Sequence, residues 1–414
     1  MTVSAGDDRR VLIVVENLPV PFDRRVWQEA TTLAENGYSV SIICPTGKGH
    51  DERYECLEGI HIYRHPLPFE ADGALGYLLE YSTALFWEFF LSFRVLRRHG
   101  FDVLHACNPP DLIFLVGGFF KLFFRKRFLF DHHDINPELY EAKFGRRGFF
   151  WKLMVWLERM TFRTADVSIA TNESYREIAI ERGGMSADDV IVVRSGPKLD
   201  RLRIQDPEPA LKCGKDFLVG YVGVMGKQEG IDLLLQAARY IVFDLGRRDV
   251  HFGLVGGGTE LANLEALALE LGLGDYVTFT GRVPDDDLLA MLNTADVCVN
   301  PDIANPMNDK STMNKIMEYM ALAKPIVQFD LTEGRFSARE ASLYARHNDV
   351  VDLGEKIVEL LDDPQRRARM GAFGRERVTT ELEWSYEAPK LLHAYDRIFS
   401  GGGQAADVAV ERLP

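Results

Sequence analysis

The sequence of 414 residues has only five cysteines, and none of them lies in a CxxC or CxxH spacing. Both a disulfide framework and a structural zinc site are therefore disfavoured. Several of the cysteines lie in apolar runs typical of strands, which predicts buried thiols in a reducing compartment. The five are Cys44, Cys56, Cys107, Cys213 and Cys298.

Long apolar runs are missing as well. No segment supplies the roughly 20 consecutive apolar residues that a transmembrane helix needs. The first ten residues are polar, and the apolar run after them is far too short for a signal sequence. The expected location is the cytoplasm.

A positive net charge is also absent, since the chain carries a formal charge of −14. This charge disfavours nucleic acid as a partner. The sign is not uniform, however, because residues 91–163 contain 13 Lys and Arg against 7 Asp and Glu. The longer segment 77–163 is basic and rich in aromatic residues. It is either core with solvated charge around it or a surface for anionic membrane lipid.

The sequence does contain a regular alternation of apolar strands and amphipathic helices. Residues 10–15 are apolar without alternation, which is typical of a buried parallel strand. A helix over 26–36 and a strand over 39–44 complete a βαβ unit. The same order recurs up to residue 193 and restarts at Phe217. We predict an α/β protein with two doubly wound Rossmann-like domains facing an interdomain cleft, where ligands are expected.

The aperiodic stretch between the two halves sets the predicted domain boundaries. An N-terminal domain spans 1–195, a Gly- and Pro-containing linker spans 196–214, and the C-terminal domain spans 215–385. A final helix, 386–400, could cross back to the N-terminal domain. Residues 401–414 are predicted to be a disordered tail.

The most informative stretch is 308–321. Ser311 or Thr312 is predicted to cap a helix that begins one or two residues later. The free N–H groups at such a helix start favour a phosphate, and Lys315 adds a positive charge. Glu318 lies on the same helix face and could accept hydrogen bonds from ribose hydroxyls. The alternative is an ordinary capped helix with a surface Lys–Glu pair.

Two glycine-rich turns follow strands in the second half. The first contains Gly223, Gly226 and Lys227, and the second spans 255–260. Glycine lets the backbone approach a ligand closely, although neither turn has the GxGxxG dinucleotide pattern. Tight strand–helix turns would explain them equally well.

In the first half, His133 and Asp134 follow a predicted strand at its carboxyl end, where open α/β sheets place function. His133 could donate a hydrogen bond to a sugar hydroxyl or a phosphate, with Asp134 orienting it. No third ligand is spaced with this pair, so we predict no metal site. Arg24 or Arg25, before the first helix, could meet an anionic group or form a solvated charge run.

Taken together, these stretches resemble the family 4 glycosyltransferases, which have the GT-B fold. The resemblance covers roughly residues 11–400. The motifs that carry it are Phe22-Asp23-Arg24-Arg25-Val26-Trp27, His133-Asp134 with Pro137-Glu138, residues 223–230, Gly281-Arg282-Val283-Pro284, and residues 315–321 before Lys324-Pro325-Ile326-Val327.

The resemblance implies a retaining, metal-independent transfer of a sugar from a nucleotide diphosphate sugar, with no further cofactor. The C-terminal domain would bind the donor and the N-terminal domain the acceptor. By position, the implied catalytic set is His133, Asp134, Asp309 and Lys310, with His133 at the donor sugar. The implied donor-binding set is Gly223, Gly226, Lys227, Gly281, Arg282, Ser311, Thr312, Asn314, Lys315 and Glu318. The implied acceptor or N-domain cleft set is Phe22, Asp23, Arg24, Arg25 and Asn108.

Three positions depart from the family pattern. Lys310 stands where the first carboxylate of the family's Glu-x7-Glu is expected, with Asp309 one position away. Glu229 replaces the lysine expected before Gly230, and Phe22-Asp23 replaces a glycine pair. These departures concern the donor contacts, and weak or lost catalysis is one interpretation of them.

The sequence therefore predicts a cytoplasmic glycosyltransferase, peripheral on the inner face of the cell membrane. Its partners would be a nucleotide sugar and a glycan or lipid-linked acceptor, used in assembling a cell-surface polysaccharide or exopolysaccharide. A non-catalytic GT-B partner that binds a nucleotide sugar or glycan is an alternative, as is a nucleotide-sugar epimerase. The donor, the acceptor and the oligomeric state do not follow from the sequence.

Overall fold

The computed structural model describes residues 9–66 and 74–401. The chain divides into two compact units, which we call unit 1 (residues 1–194 and 387–414) and unit 2 (residues 195–386). The segment 196–214 groups with unit 2, and the residues of the last helix from Glu387 onward group with unit 1. Apart from Gly401, the predicted disordered tail lies outside the described residues.

Unit 1 is built on an eight-stranded sheet with the order β3-β4-β2-β1-β5-β6-β7-β8. Its strands pair in parallel, except that β3 pairs with β4 antiparallel. The strands are β1 (Arg10–Val14), β2 (Ser39–Pro45), β3 (Tyr54–Leu57), β4 (Ile60–His65), β5 (Val103–Cys107), β6 (Arg127–His132), β7 (Val167–Ala170) and β8 (Val190–Val192).

The helices of unit 1 form where an apolar face can cover this sheet. In the first of them, Asp23 caps the helix by accepting a hydrogen bond from the Val26 N–H, and Ala30 and Leu33 are buried. The helices are α1 (Arg24–Glu35), α2 (Ala74–Arg98), α3 (Phe114–Phe124), α4 (Asn136–Phe144), α5 (Phe149–Thr164) and α6 (Glu173–Glu177).

Unit 2 contains a six-stranded parallel sheet with the order β11-β10-β9-β12-β13-β14. The strands are β9 (Phe217–Val222), β10 (Val250–Val255), β11 (Val277–Gly281), β12 (Val297–Asn300), β13 (Ile326–Phe329) and β14 (Ser342–Ala345). Every residue of β10 is buried, as its continuous apolar pattern predicts, and each fully buried Val, Leu or Phe contributes about 1.5–3 kcal/mol.

The helices that follow β9 are α7 (Ile231–Arg239), α8 (Leu261–Glu270), α9 (Asp285–Thr294), α10 (Pro306–Lys310), α11 (Asn314–Ala321), α12 (Thr332–Ala338), α13 (Val350–Asp362), α14 (Pro364–Arg377) and α15 (Trp384–Phe399). The first turn of α9 contains Asp285, Asp286 and Asp287, whose negative charges interact favourably with the positive end of the helix dipole.

The prediction of two doubly wound α/β halves is confirmed, but six elements were not predicted. They are β3, β14, α4, α6, α10 and α12. Strand β3 is an antiparallel edge strand with half-exposed polar residues, so it lacks the apolar signal of a buried strand. The missed helices are short, and their stability comes from packing and caps rather than from a long periodic pattern.

The prediction of buried cysteines is correct for Cys44, Cys107 and Cys298 and wrong for Cys56 and Cys213, which are exposed. Cys56 lies on the edge strand β3, and Cys213 ends a short turn before β9. Within residues 9–66 and 74–401, no helix is long and apolar enough to cross a membrane.

Candidate functional site

In unit 1, the turn after β6 is held by a buried amide. The Oδ1 atom of Asn108 accepts hydrogen bonds from the backbone N–H groups of His133, at 2.7 Å, and Asp134, at 3.1 Å. The Nδ2 atom of Asn108 donates to Asp111 Oδ1 at 2.9 Å and to the Asp134 carbonyl at 2.7 Å. Burial raises the pKa of Asp111 to about 6. The predicted residues Asn108, His133 and Asp134 are therefore brought together.

The imidazole of His133 is oriented by Asp131. Nε2 of His133 lies 2.6 Å from Oδ2 of the fully buried Asp131. This short contact with a carboxylate holds the imidazole ring in place through Nε2. Burial alone would lower the pKa of His133, but the charge and hydrogen bond of Asp131 outweigh it and the pKa is raised.

Arg25 supplies the positive charge of this cluster. Its NH2 group lies 3.0 Å from Asp131 Oδ1 and 3.1 Å from Oε1 of the buried Glu29, and its Nε lies 3.0 Å from His133 Nε2. Burial would raise the pKa of Asp131, yet Arg25 and His133 hold it well below its usual range. Burial raises the pKa of Glu29 to about 8, against the effect of Arg25.

Glu29, Asp131 and His133 each offer one ligand atom, and these atoms lie within 4.8 Å of one another. The sequence prediction found no third ligand near His133 because these groups are distant in the chain. The Arg25 guanidinium contacts the same three side chains, so the cluster already holds a positive charge.

The predicted set at residues 22–25 separates into different roles. Asp23 caps α1, and Arg25 joins the cluster at His133. Arg24 is exposed and Phe22 is half-buried. Arg25 meets anionic groups inside unit 1, as one of the two alternatives from the sequence expected.

In unit 2, the two glycine-rich turns pack directly against each other. Gly223 donates its N–H to the Val255 carbonyl at 3.0 Å. Gly256 has a φ of +140°, and a Cβ atom there would lie 1.8 Å from the Gly223 carbonyl oxygen. Only glycine fits this position. A Cβ atom on Gly223 would lie 3.4 Å from Lys315 Cε, so the turn after β9 lies beside the start of α11.

The prediction that Ser311 or Thr312 caps a helix is wrong. Ser311 Oγ donates to the Met307 carbonyl at 2.8 Å, because a separate helix, α10, precedes it. Helix α11 begins after Met313, which provides no side-chain cap. The first N–H groups of α11 and its helix dipole favour an anion at this helix start.

Lys315 lies at this helix start but is surrounded by carboxylates. Its Nζ atom lies 2.6 Å from Glu229 Oε2 and 2.9 Å from Asp302 Oδ1, and it sits 5.0 Å from the centre of the Tyr221 ring. Burial would lower the pKa of Lys315, yet its acidic neighbours hold it well above the usual value. Burial raises the pKa of Asp302 to about 7.

Glu318 pairs with a different element. Its Oε1 atom accepts a hydrogen bond from Arg201 NH2 at 2.5 Å, and Arg201 NH1 donates to Asp285 Oδ2 at 2.9 Å. Arg201 lies in the segment predicted to be a linker. The surface Lys315–Glu318 pair considered from the sequence is replaced by these longer-range ion pairs.

The remaining predicted residues occupy several places around α11. Asp309 accepts hydrogen bonds from Thr332 at the start of α12, at 2.8 and 3.1 Å. The Gly281 carbonyl accepts from the Gly256 N–H at 2.9 Å, next to the exposed Arg282. The side chains of Lys310 and Thr312 are half-buried. Those of Asn314 and Lys227 are exposed, and Gly226 immediately precedes Lys227.

Sequence reasoning missed Asp131, Glu29, Asp302 and Arg201. Asp302 follows β12 and Asp131 lies near the end of β6, so the rule that strand ends carry function would have pointed to both. Glu29 and Arg201 carry no local signal, since each is identified only by its distant partner.

Two family models match the chain. Residues 23–201 match Glycosyltransferase Family 4, and residues 216–363 match Glycosyl transferases group 1. Together they cover most of the sequence.

The chain is also similar to curated proteins. It is 25% identical to an MMP alpha-(1->4)-mannosyltransferase of Mycolicibacterium hassiacum, over 88% of this chain and 92% of the relative. It is 28% identical to a GDP-mannose-dependent monoacylated alpha-(1-6)-phosphatidylinositol monomannoside mannosyltransferase of Corynebacterium glutamicum, over 45% of this chain and 46% of the relative. The chain spans about half the length of the first curated relatives that it matches.

Among solved structures, sucrose-phosphate synthase from Thermosynechococcus elongatus superimposes with a TM-score of 0.78 at 21% identity, covering 95% of this chain and 99% of that one. At this identity the likeness shows the fold, which is GT-B. On the two family models and this fold, the chain belongs to the group 1, family 4 glycosyltransferases.

Proposed function

We propose that the chain is a retaining glycosyltransferase that moves a sugar from a nucleotide diphosphate sugar to a lipid-linked saccharide acceptor, in assembly of a cell-surface or exported polysaccharide. The observation that carries the proposal is the start of α11. Its first N–H groups, Lys315 and Glu318 lie together beside the packed glycine turns after β9 and β10. The Corynebacterium glutamicum relative is a phosphatidylinositol monomannoside mannosyltransferase by name, which supports a lipid-linked acceptor.

In this proposal, unit 2 binds the donor without a metal ion. The N–H groups of α11 and the Lys315 ammonium stabilise the negative charge that develops on the leaving diphosphate. Glu318 accepts hydrogen bonds from the ribose, and the backbone at residues 281–282 contacts the base. In unit 1, His133 contacts the donor sugar. The rate then depends on positioning and electrostatics rather than on a strong general base.

A nucleotide screen tests the donor half of the proposal. We expect one of UDP, GDP, ADP or dTDP to raise the melting temperature of the protein, because a ligand that binds only the folded state stabilises it. The corresponding nucleotide sugars should then release nucleoside diphosphate in the presence of an acceptor. Absence of both stabilisation and release for every nucleotide would overturn the proposal.

A second candidate is a non-catalytic nucleotide-sugar binding protein. The observation that favours it is the pairing of Lys315 with two carboxylates, Glu229 and Asp302, where the family pattern has a second cation. Stabilisation by a nucleotide without turnover of any donor would support this candidate over the enzyme.

We further propose that unit 1 docks on the inner face of the cell membrane. Helices α3 and α5 carry large exposed apolar side chains, including Leu122 and Phe149, each 75% exposed. Phe150 and Trp156 are also exposed, with basic residues between and beside them. Exposed aromatic groups with interleaved cations are typical of a surface that enters anionic headgroups. The exposed basic residues of this region include Arg146, Arg147, Lys152, Arg159 and Arg163.

The wild-type protein is expected to co-sediment with phosphatidylglycerol vesicles at low salt, and less at high salt because the charges are screened. Replacing Phe149, Phe150 and Trp156 together by Ser should reduce partitioning by at least about tenfold, since apolar area is lost from the interface. The matched control is Leu269→Ser, an exposed leucine of α8 in unit 2. Equal sedimentation of the triple variant and wild type would contradict this proposal.

A further inference from the structure

The Lys315 ammonium lies in a cluster contributed by several elements of unit 2. Glu229 comes from the turn after β9 and Asp302 from the segment after β12. Tyr221, on β9, lies 3.5 Å from the ammonium through its hydroxyl group. Tyr319, one turn along α11, donates to the Val299 carbonyl at 3.2 Å. These are the titratable groups that face Lys315.

The charges of this cluster do not suit a diphosphate as they stand. One ammonium group is matched by two carboxylates, so the ionised cluster has a net charge of −1. A diphosphate brought to the same helix start adds further negative charge in a buried environment, where like charges repel strongly. Removing the charge of one carboxylate would leave the ammonium available to the ligand.

Asp302 is the carboxylate best placed to take up a proton. Its side chain is 1% exposed, whereas that of Glu229 is 16% exposed. Its Oδ1 atom accepts from Lys315, while its buried Oδ2 atom has no hydrogen-bond partner in the described part of the chain. A proton can therefore be carried on Oδ2 without breaking the Lys315 contact. The pKa of Asp302, which burial raises to about 7, agrees with this assignment.

We propose that Asp302 takes up one proton from solvent when a nucleoside diphosphate binds at the start of α11, so that the diphosphate replaces the Asp302 charge as the counter-charge of Lys315. The carboxylate becomes a carboxylic acid, the ammonium keeps its charge, and no other bond changes. The inference rests on the proposed function, because it needs the diphosphate to bind at α11. It makes Asp302 and Glu229 determinants of nucleotide affinity.

The expected pH dependence follows from the proton balance. Below the pKa that Asp302 has in the protein without nucleotide, Asp302 is already protonated and the affinity for the nucleotide does not change with pH. Above it, each bound nucleotide must bring in a proton, so the affinity falls by up to about tenfold per pH unit as the pH rises.

Titration calorimetry measures this directly. The probe is whichever of UDP, GDP, ADP or dTDP stabilises the protein most, titrated between pH 7 and 8.5, above the second ionisation of a terminal phosphate at about 6. Repeating the titration in buffers of different ionisation enthalpy gives the number of protons taken up. We expect a value that approaches one at the alkaline end for the wild type.

Two variants test whether Asp302 is the group that takes up the proton. Asp302→Asn keeps the shape of the side chain, and we expect it to abolish proton uptake and to strengthen binding at pH 8 by up to about tenfold, since pH 8 lies about one unit above the pKa of about 7. Asp330→Asn is the matched control, since Asp330 follows the neighbouring strand β13 and pairs with Arg335. It should leave proton uptake unchanged.

The outcomes separate the two proposals. Tight nucleotide binding without proton uptake by the wild type overturns this inference and leaves the proposed function standing. Absence of binding of every nucleotide at every pH overturns both. If Asp302→Asn does not fold, the buffer series on the wild type alone decides.

Discussion

Replacing Glu318 by Gln is expected to weaken binding of the nucleoside diphosphate by about 10- to 100-fold. Hydrogen bonds from the ribose hydroxyls to a charged carboxylate contribute about 1.5–3 kcal/mol to the binding free energy. Each 1.4 kcal/mol is about a tenfold change in affinity. Titration calorimetry with the stabilising nucleotide measures the change.

Gln is the appropriate replacement because of Arg201. In the wild type, Arg201 donates to Glu318 Oε1 at 2.5 Å and to Asp285 Oδ2 at 2.9 Å. A Gln side chain still offers an oxygen to Arg201, so the fold is preserved and the loss can be assigned to the ligand. Glu265→Gln, on the exposed side of α8, is the control that should bind normally. Unchanged affinity in Glu318→Gln would show that Glu318 does not contact the nucleotide.

Replacing Asp131 by Asn is expected to lower the rate of sugar transfer by about 100- to 1000-fold, the size of effect that removing one electrostatic contact of an active site produces. The Asp131 charge raises the pKa of His133, so without it the pKa of His133 falls. If the imidazolium is the active form, the alkaline limb of the pH–rate profile moves to lower pH. The profile of kcat/KM, with an NMR titration of His133, measures both effects.

A loss of activity alone would not separate positioning from folding, because Arg25 would also lose the charge of one of its carboxylate partners. Asp166→Asn is the control for this. Asp166 also forms an ion pair in unit 1, with Lys121, and accepts from the Phe128 N–H. It should reduce the melting temperature without moving the titration of His133. If Asp131→Asn leaves the His133 titration unchanged, Asp131 is a structural residue and not a positioning one.

A large part of the fold was predictable because it follows from local patterns. The apolar runs of β1 and β10 identify buried parallel strands, since a strand covered on both faces has no polar positions. The repeated strand–helix order then predicts two doubly wound sheets. Edge strand β3 was missed because half-exposed strands lack that apolar signal.

The candidate site was predictable in position but not in its contacts. The sequence located His133 and α11 because both follow the general rules for strand ends and helix starts. It mispredicted the cap at Ser311, whose hydroxyl group bonds to the turn before it instead. It also treated Lys315 as a cation available to the ligand.

The sequence by itself thus determined the family, the class of fold and the two places where chemistry is expected. Only the tertiary structure decided the charge state of those places, by bringing Glu229 and Asp302 to Lys315, Arg201 to Glu318, and Arg25 to Asp131. The physical reason is that hydrophobic periodicity is a property of neighbouring residues, whereas a buried charge takes its partner from wherever the chain returns in space.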